Sequence, residues 1–374
     1  MSFITESSPC KDYYWMGKAI QLAQKGRYTT PPNPNVGCVI VDSRQKCVGT
    51  GYHVQAGTPH AEVHALNQAG GRAKGATAYV TLEPCSHFGR TPPCADALIQ
   101  AGIARVVVAM TDPNPLVSGQ GIAKLQQAGI KVVSDVMAAQ AAELNTGYIK
   151  RMMQGKPFVT VKLATSVDGK IALANGESQW ITGPEARNDV HRHRAACSAI
   201  LTGSGTVLKD NPSLLVRRDE AKIHDYPLAD IRQPLRVVVD SKGIIPAHSQ
   251  LLCDGYPTLI AAANPAESLA GADIEVIPNA EGRKVCLENL LVVLGERQLN
   301  HIWVEAGPGL TGALFQAGLV DELIVYQAPV ILGDKAISMV NTPDFTELNQ
   351  ACSLSLKQLR QVGNDIKMTF SVTA

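Results

Sequence analysis

Apolar and polar positions alternate between two periods along the first 155 residues. Asp12 to Lys25 carries helical apolar spacing and stops before Gly26. Val36 to Val41 is a short apolar run, as in a strand buried on both faces. A helix is expected from His60 to Ala69, stopped by Gly70-Gly71, and then a strand from Ala76 to Leu82. A helix from Cys94 to Ala101 ends at Gly102, followed by a strand from Arg105 to Ala109. A helix from Ile122 to Ala128 ends at Gly129 and leads into a strand from Ile130 to Val133. Strands and helices in turn predict a three-layer α/β/α domain with mostly parallel strands. A helix over Ala138 to Met153 then runs to the turn-like break Gly155-Lys-Pro157, where the domain boundary is placed.

The second half opens with Pro157 to Ala164, a strand of alternating character, and a tight turn at Thr165 to Ile171. A helix begins at Gly183-Pro184 and carries Arg187, His191, Arg192, His193 and Arg194. Strands are expected at Ala199–Leu201, Leu235–Val239, Thr258–Ala262, Ile274–Ile277 and His301–Glu305, and finally at Leu323–Tyr326 and Ile366–Val372. Glycine-rich loops fall at Gly203–Thr206 and Gly307–Gly312, and Ala221 to Gln233 reads as a surface loop. A chain of 374 residues exceeds one ordinary core, so two domains are expected, 1–155 and 156–374.

Composition narrows the class. With 45% hydrophobic and 18% charged residues this is an ordinary globular chain. A net charge of +1 gives no electrostatic case for nucleic acid or an anionic membrane. There is no run of 18 apolar residues and no basic-then-apolar leader, so no membrane partner is expected. Nine scattered cysteines, an odd number, do not make a disulfide framework and point to a reducing cytoplasm.

The chemistry concentrates in Thr58-Pro-His-Ala-Glu62 and Glu83-Pro-Cys-Ser-His-Phe-Gly-Arg-Thr-Pro-Pro-Cys94. His60, Cys85 and Cys94 offer one imidazole and two thiolates, the set of a catalytic zinc site with an open fourth position. Glu62 is spare, and a carboxylate there can take a proton from water and deliver it to a leaving nitrogen. A bound zinc brings the pKa of its water to roughly 7, as in the zinc deaminases with their His-x-Glu and Pro-Cys segments. Thr58 and Pro59 read as N-cap and first helical position, and Pro84 as the approach to a helix start at Cys85. His64 competes as a ligand one turn from His60, although a His-Glu-x-x-His site would need Glu where Ala61 stands. A zinc-stapled binding protein without catalysis is the other class, and it needs a fourth ligand such as His64 or His87.

These segments resemble the deaminase half of the bifunctional riboflavin-biosynthesis deaminase–reductases. The eight residues between Cys85 and Cys94 set them apart from nucleoside and nucleic-acid deaminases, which carry a short Pro-Cys-x-x-Cys. Asn33-Pro-Asn-Val-Gly37, Gly51-Tyr-His53 and Asp112-Pro-Asn-Pro115 fit the same family. The resemblance implies that Asn33, His53, His87 and Arg90 line the pyrimidine or its ribose phosphate.

In the second half, Gly307-x-Gly309-x-x-Gly312 follows a strand and precedes a helix, as a phosphate-cradling loop does. It comes too late in its domain for a standard Rossmann unit. Lys162 to Ala172, Ser178 to Thr182, Gly203 to Pro212 and Val304 to Ala313 resemble instead the reductase half of the same family, which has a dihydrofolate-reductase-like fold. That resemblance implies NADPH contacts at Ala164, Trp180, Thr206, Asp210 and Ser241, and along Gly307, Pro308, Gly309, Leu310, Thr311, Gly312 and Ala313. It implies substrate contacts at Ser178, Arg194, Leu214, Arg217 and Glu305. On the residues alone, Trp180 is equally a core aromatic and Arg194 equally a solvated helix face. Lys242 is expected to face the cofactor's 2′-phosphate. Together these give a zinc- and NADPH-dependent enzyme acting on a small pyrimidine ribose phosphate, with a homodimer as the default assembly. A nucleic-acid or free-nucleoside deaminase with an appended domain remains the alternative.

Overall fold

A computed structural model describes residues 9–87, 92–265 and 269–373. The chain divides into two compact units, Met1–Gly155 and Lys156–Ala374.

The first unit has strands β1 (Gly37–Val41), β2 (Cys47–Tyr52), β3 (Thr77–Val80), β4 (Arg105–Val108) and β5 (Lys131–Val133). Its helices are α1 (Pro9–Ala23), α2 (Ala61–Ala69), α3 (Cys94–Gln100), α4 (Gln120–Gln127), α5 (Ala138–Glu143) and α6 (Thr146–Gln154). The sheet order is β2-β1-β3-β4-β5. Every residue of β1 is buried because both faces are covered. Cys38 and Ile40 face one core with residues of α2, α3 and α4, while Val39 and Val41 face another with Met16 and Ala19 of α1 and Ala141 of α5.

Three expectations are corrected here. The sheet is mixed: β1 runs antiparallel to both neighbours, and only β3, β4 and β5 are parallel. A short turn, closed by Asp42 accepting from the Arg44 and Lys46 amides, folds β1 back into the unexpected β2. A Cβ on Gly49 or Gly51 would lie about 2 Å from the carbonyls of Ala65 and Ala61, so these glycines let α2 press onto β2. The single helix expected over Ala138 to Met153 is two helices broken at Asn145. The Asn145 amide exchanges hydrogen bonds with the Asn35 backbone, and Asn35 Nδ2 donates to the Leu144 carbonyl. Those ties hold the loop that carries Asn33.

The second unit contains β6 (Phe158–Thr165), β7 (Lys170–Ala172), β8 (Ala199–Gly203), β9 (Leu235–Val239), β10 (Thr258–Ala262), β11 (Asp273–Val276), β12 (His301–Val304), β13 (Glu322–Gln327), β14 (Ile337–Ser338), β15 (Ser353–Val362) and β16 (Asp365–Thr373). Its helices are α7 (Pro184–Ala196), α8 (Ser204–Asp210), α9 (Arg218–Ala221), α10 (Gln250–Cys253), α11 (Leu287–Glu296) and α12 (Pro308–Gln316). Nine strands form one sheet in the order β11-β10-β9-β8-β12-β6-β13-β16-β15. It is parallel from β11 to β13, and its last two strands are antiparallel. One face packs on α11 and α12 through Leu290, Leu294 and Leu314; the other packs on α7 and α10 through Val190 and Leu251. No helix among the described residues is long and apolar enough to cross a membrane.

Candidate active sites

In the first unit the sheet brings the two chemical segments together. His60 is the N-cap of α2, with extended backbone at φ −75° and ψ 168°, so this helix starts later than the Thr58-Pro59 pattern suggests. Thr58 instead closes a turn, its hydroxyl and amide both donating to the Gln55 carbonyl. Cys85 lies in the loop after β3 and starts no helix, whereas Cys94 is the first residue of α3 behind Pro93. The expected helix start at Cys85 fails because its backbone is engaged with α3: its carbonyl accepts the Ala95 amide, and its Sγ accepts the Cys94 amide at 3.2 Å.

His60 Nδ1 lies 3.6 Å from Cys85 Sγ and 3.3 Å from Cys94 Sγ. The three donor atoms are all within 4.8 Å of one another, and among the described residues no fourth His, Cys, Asp or Glu joins the group. That removes the ground for a closed, four-ligand staple through His64 or His87. The Cys85 thiol is pulled down to about 4, first by the hydrogen bond from Cys94 and then by His60. The same contact pushes the Cys94 thiol up, so the pair favours a thiolate at Cys85 and a protonated thiol at Cys94. A softly bonding divalent cation fits such a set, replacing that proton.

Glu62 sits in the first turn of α2, 3% exposed. Its Oε2 is buried with no hydrogen-bond partner. Burial pushes its carboxyl up to about 7, with the Cys85 charge adding to the effect. An orphaned carboxylate oxygen beside three metal donors is what a water or substrate would satisfy. His53 packs edge-on against His60 at 5.3 Å between ring centroids. The Asn33 amide lies 3.0 Å from His53 Nε2, and His53 Nδ1 lies 3.3 Å from the Pro59 carbonyl. Burial lowers His53 to about 4, so its ring is neutral at pH 7. Asn33 and His53 are thus brought to the donor cluster, and His87 is exposed two residues beyond Cys85. Arg90 lies outside the described residues.

In the second unit Glu305 follows β12 directly. Arg194 grips it in a bidentate pair at 2.6 and 2.9 Å, and Trp303 Nε1 donates at 2.9 Å. Burial alone would raise the Glu305 carboxyl; Arg194 outweighs it and holds it at about 2. Arg194 is therefore no solvated helix face, since it also donates to the Leu215 carbonyl. Lys162 also lies among these charges. Burial lowers its ammonium, partly offset by Glu305. The clue was a lysine midway along β6, on the face opposite Val159, Val161 and Leu163.

Trp180 is 67% exposed with the Arg187 guanidinium 4.5 Å from its ring centroid, which excludes the core-aromatic alternative. Gly307 caps α12 and Pro308 opens it. Thr311, Gly312 and Ala313 fall inside that helix; the Thr311 amide is spent on the Gly307 carbonyl. A Cβ on Gly312 would lie 1.8 Å from the Asn341 carbonyl, so this glycine serves packing. First-turn amides free by helix geometry are those of Gly309 and Leu310. Ala164 ends near the close of β6, Thr206 and Asp210 lie on α8, and Ser178 is half-buried. Ser241 Oγ accepts the Val285 amide at 3.0 Å. Leu214 is 3% exposed at φ 56°, while Arg217 is exposed and paired with Glu220 at 2.8 Å.

Residues 9–110 match the cytidine and deoxycytidylate deaminase zinc-binding region, and residues 157–368 match the RibD C-terminal domain. The riboflavin biosynthesis protein RibD of Escherichia coli K12 is 52% identical over 361 residues, covering 95% of this chain and 98% of that protein. The chain belongs to the RibD family. A solved structure of Acinetobacter baumannii RibD superposes with a TM-score of 0.91 at 43% identity, covering 98% of this chain and all of that one. A Thermotoga maritima structure, described as a diaminohydroxyphosphoribosylaminopyrimidine deaminase/5-amino-6-(5-phosphoribosylamino)uracil reductase, superposes at 0.85 with 30% identity, covering 98% and 99%. This RibD-family chain is a bifunctional deaminase and reductase of riboflavin biosynthesis, with a cytidine-deaminase-like first domain and a dihydrofolate-reductase-like second. Its cofactors are zinc and NADPH. The nucleic-acid deaminase alternative is thereby set aside.

Proposed function

We propose that residues 1–155 hydrolyse the 2-amino group of 2,5-diamino-6-ribosylamino-4(3H)-pyrimidinone 5′-phosphate. In this reading His60, Cys85 and Cys94 hold zinc, which when bound makes water a competent nucleophile near neutral pH. Glu62 takes the proton from the attacking water and hands it to the amino nitrogen, so that the carbon–nitrogen bond breaks and ammonia leaves. The supporting observation is the unpartnered, buried Glu62 Oε2 beside a three-donor cluster with no fourth protein ligand among the described residues. Asn33, His53, His87 and Arg90 line the pyrimidine or its ribose phosphate in this reading.

Residues 156–374 then reduce the ribosyl to the ribityl side chain, giving 5-amino-6-ribitylaminouracil 5′-phosphate, with NADPH supplying hydride. Ala164, Trp180, Thr206, Asp210, Ser241 and the first turn of α12 receive the cofactor. Ser178, Arg194, Leu214, Arg217 and Glu305 receive the substrate. Glu305, held ionised, accepts from sugar hydroxyls, and Arg194 keeps it in place.

The chain works as a cytoplasmic homodimer in this reading. Its nine cysteines are free, which suits a reducing compartment. A bulge at Lys357 keeps Leu354, Leu356 and Leu359 opposite Val372, Phe370 and Met368, so an apolar face continues from the core onto the exposed edge strand β15. A second copy covering that edge removes it from water. Light scattering on Leu356→Lys tests this; an unchanged mass would rule β15 out as the contact.

The deciding assay incubates the diaminopyrimidinone phosphate with the full chain, with and without NADPH. Ammonia should appear in both, and nicotinamide absorbance should fall only after ammonia forms. Reduction without prior ammonia release would overturn the order of steps.

A further inference from the structure

We propose that Glu83 is a positioning residue for the deamination: its carboxylate pins the Asp112–Gly119 loop, one wall of the substrate pocket, against the turn that carries Cys85. This rests on the zinc-deaminase reading above and adds a residue to it. Glu83 follows β3 closely and stands two residues before Cys85, 6% exposed. Its Oε2 accepts from the Asp112 and Gly119 amides at 3.1 and 2.9 Å. Its Oε1 accepts from the Gly121 and Ile122 amides at 2.8 and 3.1 Å. Four backbone donors fill the acceptor capacity of one carboxylate. Glu83 therefore has nothing left to offer a metal or a substrate, and its part is to hold other groups.

What it holds is set by topology. β3 and β4 are parallel neighbours, so the loops that follow them emerge at the same edge of the sheet, where sites in such sheets form. The first of these loops carries Cys85 and the second is the Asp112–Gly119 loop; Cys94 opens α3. A second contact locks the same pair: a Cβ on Gly121 would lie 2.0 Å from the Pro84 carbonyl. The loop is also braced from within. Asp112 Oδ1 accepts the Asn114 amide at 2.9 Å and the Tyr148 hydroxyl of α6 at 3.2 Å. Among the described residues every partner of the Glu83 carboxylate is a donor, which explains a carboxylate here: the amide of a glutamine would turn an N–H group toward two N–H groups.

A bare helix cap on α4 would affect stability alone, whereas a positioning role moves substrate binding. The test is Glu83→Gln in the full chain, with four readouts: zinc per chain, reduction of the already deaminated compound, deaminase kcat and KM, and amide exchange over 112–122. The expected result is zinc retained and reduction unchanged. The deaminase KM should rise about tenfold with kcat within about threefold, and the amides of Asp112, Gly119, Gly121 and Ile122 should exchange faster. Faster exchange with an unchanged KM would overturn the proposal, as would loss of zinc and activity together. Tyr148→Phe leaves Glu83 intact and loosens only the loop; it should raise KM about threefold, and no rise there overturns the proposal as well. Wild-type ammonia release that survives zinc removal would sink the zinc reading instead.

Discussion

Asp189→Asn should cost the second unit more stability than any single ion pair on the surface could. Asp189 ties α7, which carries Arg194, to β13 and β16. Its Oδ2 accepts from the Tyr326 hydroxyl at 2.6 Å and Lys367 Nζ at 2.7 Å, and its Oδ1 from Arg192 at 2.9 Å and Arg360 at 2.8 Å. The Asp189 and Lys367 side chains are 6% and 5% exposed. Burial alone would raise the Asp189 carboxyl, but the Lys367 and Tyr326 hydrogen bonds prevail and hold it well below the usual range. Burial lowers Lys367, and Asp189 offsets that in part. Asparagine fits the space but leaves the ammonium buried without its counter-charge, which costs about 3–5 kcal/mol. For a unit of this size each kcal/mol moves Tm by roughly 2–4 °C. Calorimetry of the full chain should therefore show the second unit's transition lowered by on the order of 10 °C. Zinc chelation identifies the other transition, which should not move. Because the folded carboxyl pKa is depressed, its contribution is complete above ~4 and is lost only as pH falls through the folded value. The deficit should be the same at pH 6 and pH 8. A shift under about 2 °C, or one confined to the zinc-binding unit, would refute the reasoning.

Burial holds His301 and His191 neutral, each lowered to about 4. A base depressed on folding stabilises fully above its unfolded pKa of ~6.5 and less as pH falls toward 4, so His301 alone forfeits about 3 kcal/mol across that window. A urea midpoint for the second unit that is flat from pH 7 to pH 5 would contradict this. Gly312→Ala drives a Cβ into the Asn341 carbonyl and should cost about 1–3 kcal/mol while raising the KM for NADPH, because the first turn of α12 must shift. Thermal melts and reductase kinetics check it; a neutral substitution would mean the helix can slide. Lys242→Ala should weaken NADPH about tenfold, the loss of one charged contact to phosphate, and leave NADH use unchanged. An unaltered KM for NADPH refutes that placement of Lys242.

The metal donors were legible because each sits in a contiguous motif whose spacing carries the chemistry. The two-period pattern likewise gave most strands and helices, since buried parallel strands leave continuous apolar runs. β2 stayed hidden because Gly49 and Gly51, needed for the close approach of α2, erase the strand signature. Nothing in residues 36–41 encodes the direction of β1; the five-residue turn that reverses the chain does. β15 was missed because its leucines lie beyond the covered part of the sheet and its bulge interrupts the alternation. The break at Asn145 and the role of Glu83 depend on partners far along the chain, mostly backbone groups, which no local pattern shows. Arg194 is one of three similar helix charges in the sequence, and what singles it out is Glu305, a partner far along the chain.

The most direct measurement is made on Glu62→Ala in the full, zinc-loaded chain. The diaminopyrimidinone phosphate should yield no ammonia above background, while the separately prepared deaminated compound is reduced by NADPH at the wild-type rate. Ammonia release that persists in this variant, or loss of both activities in folded protein, would contradict a proton-carrying Glu62 confined to the first of two independent sites.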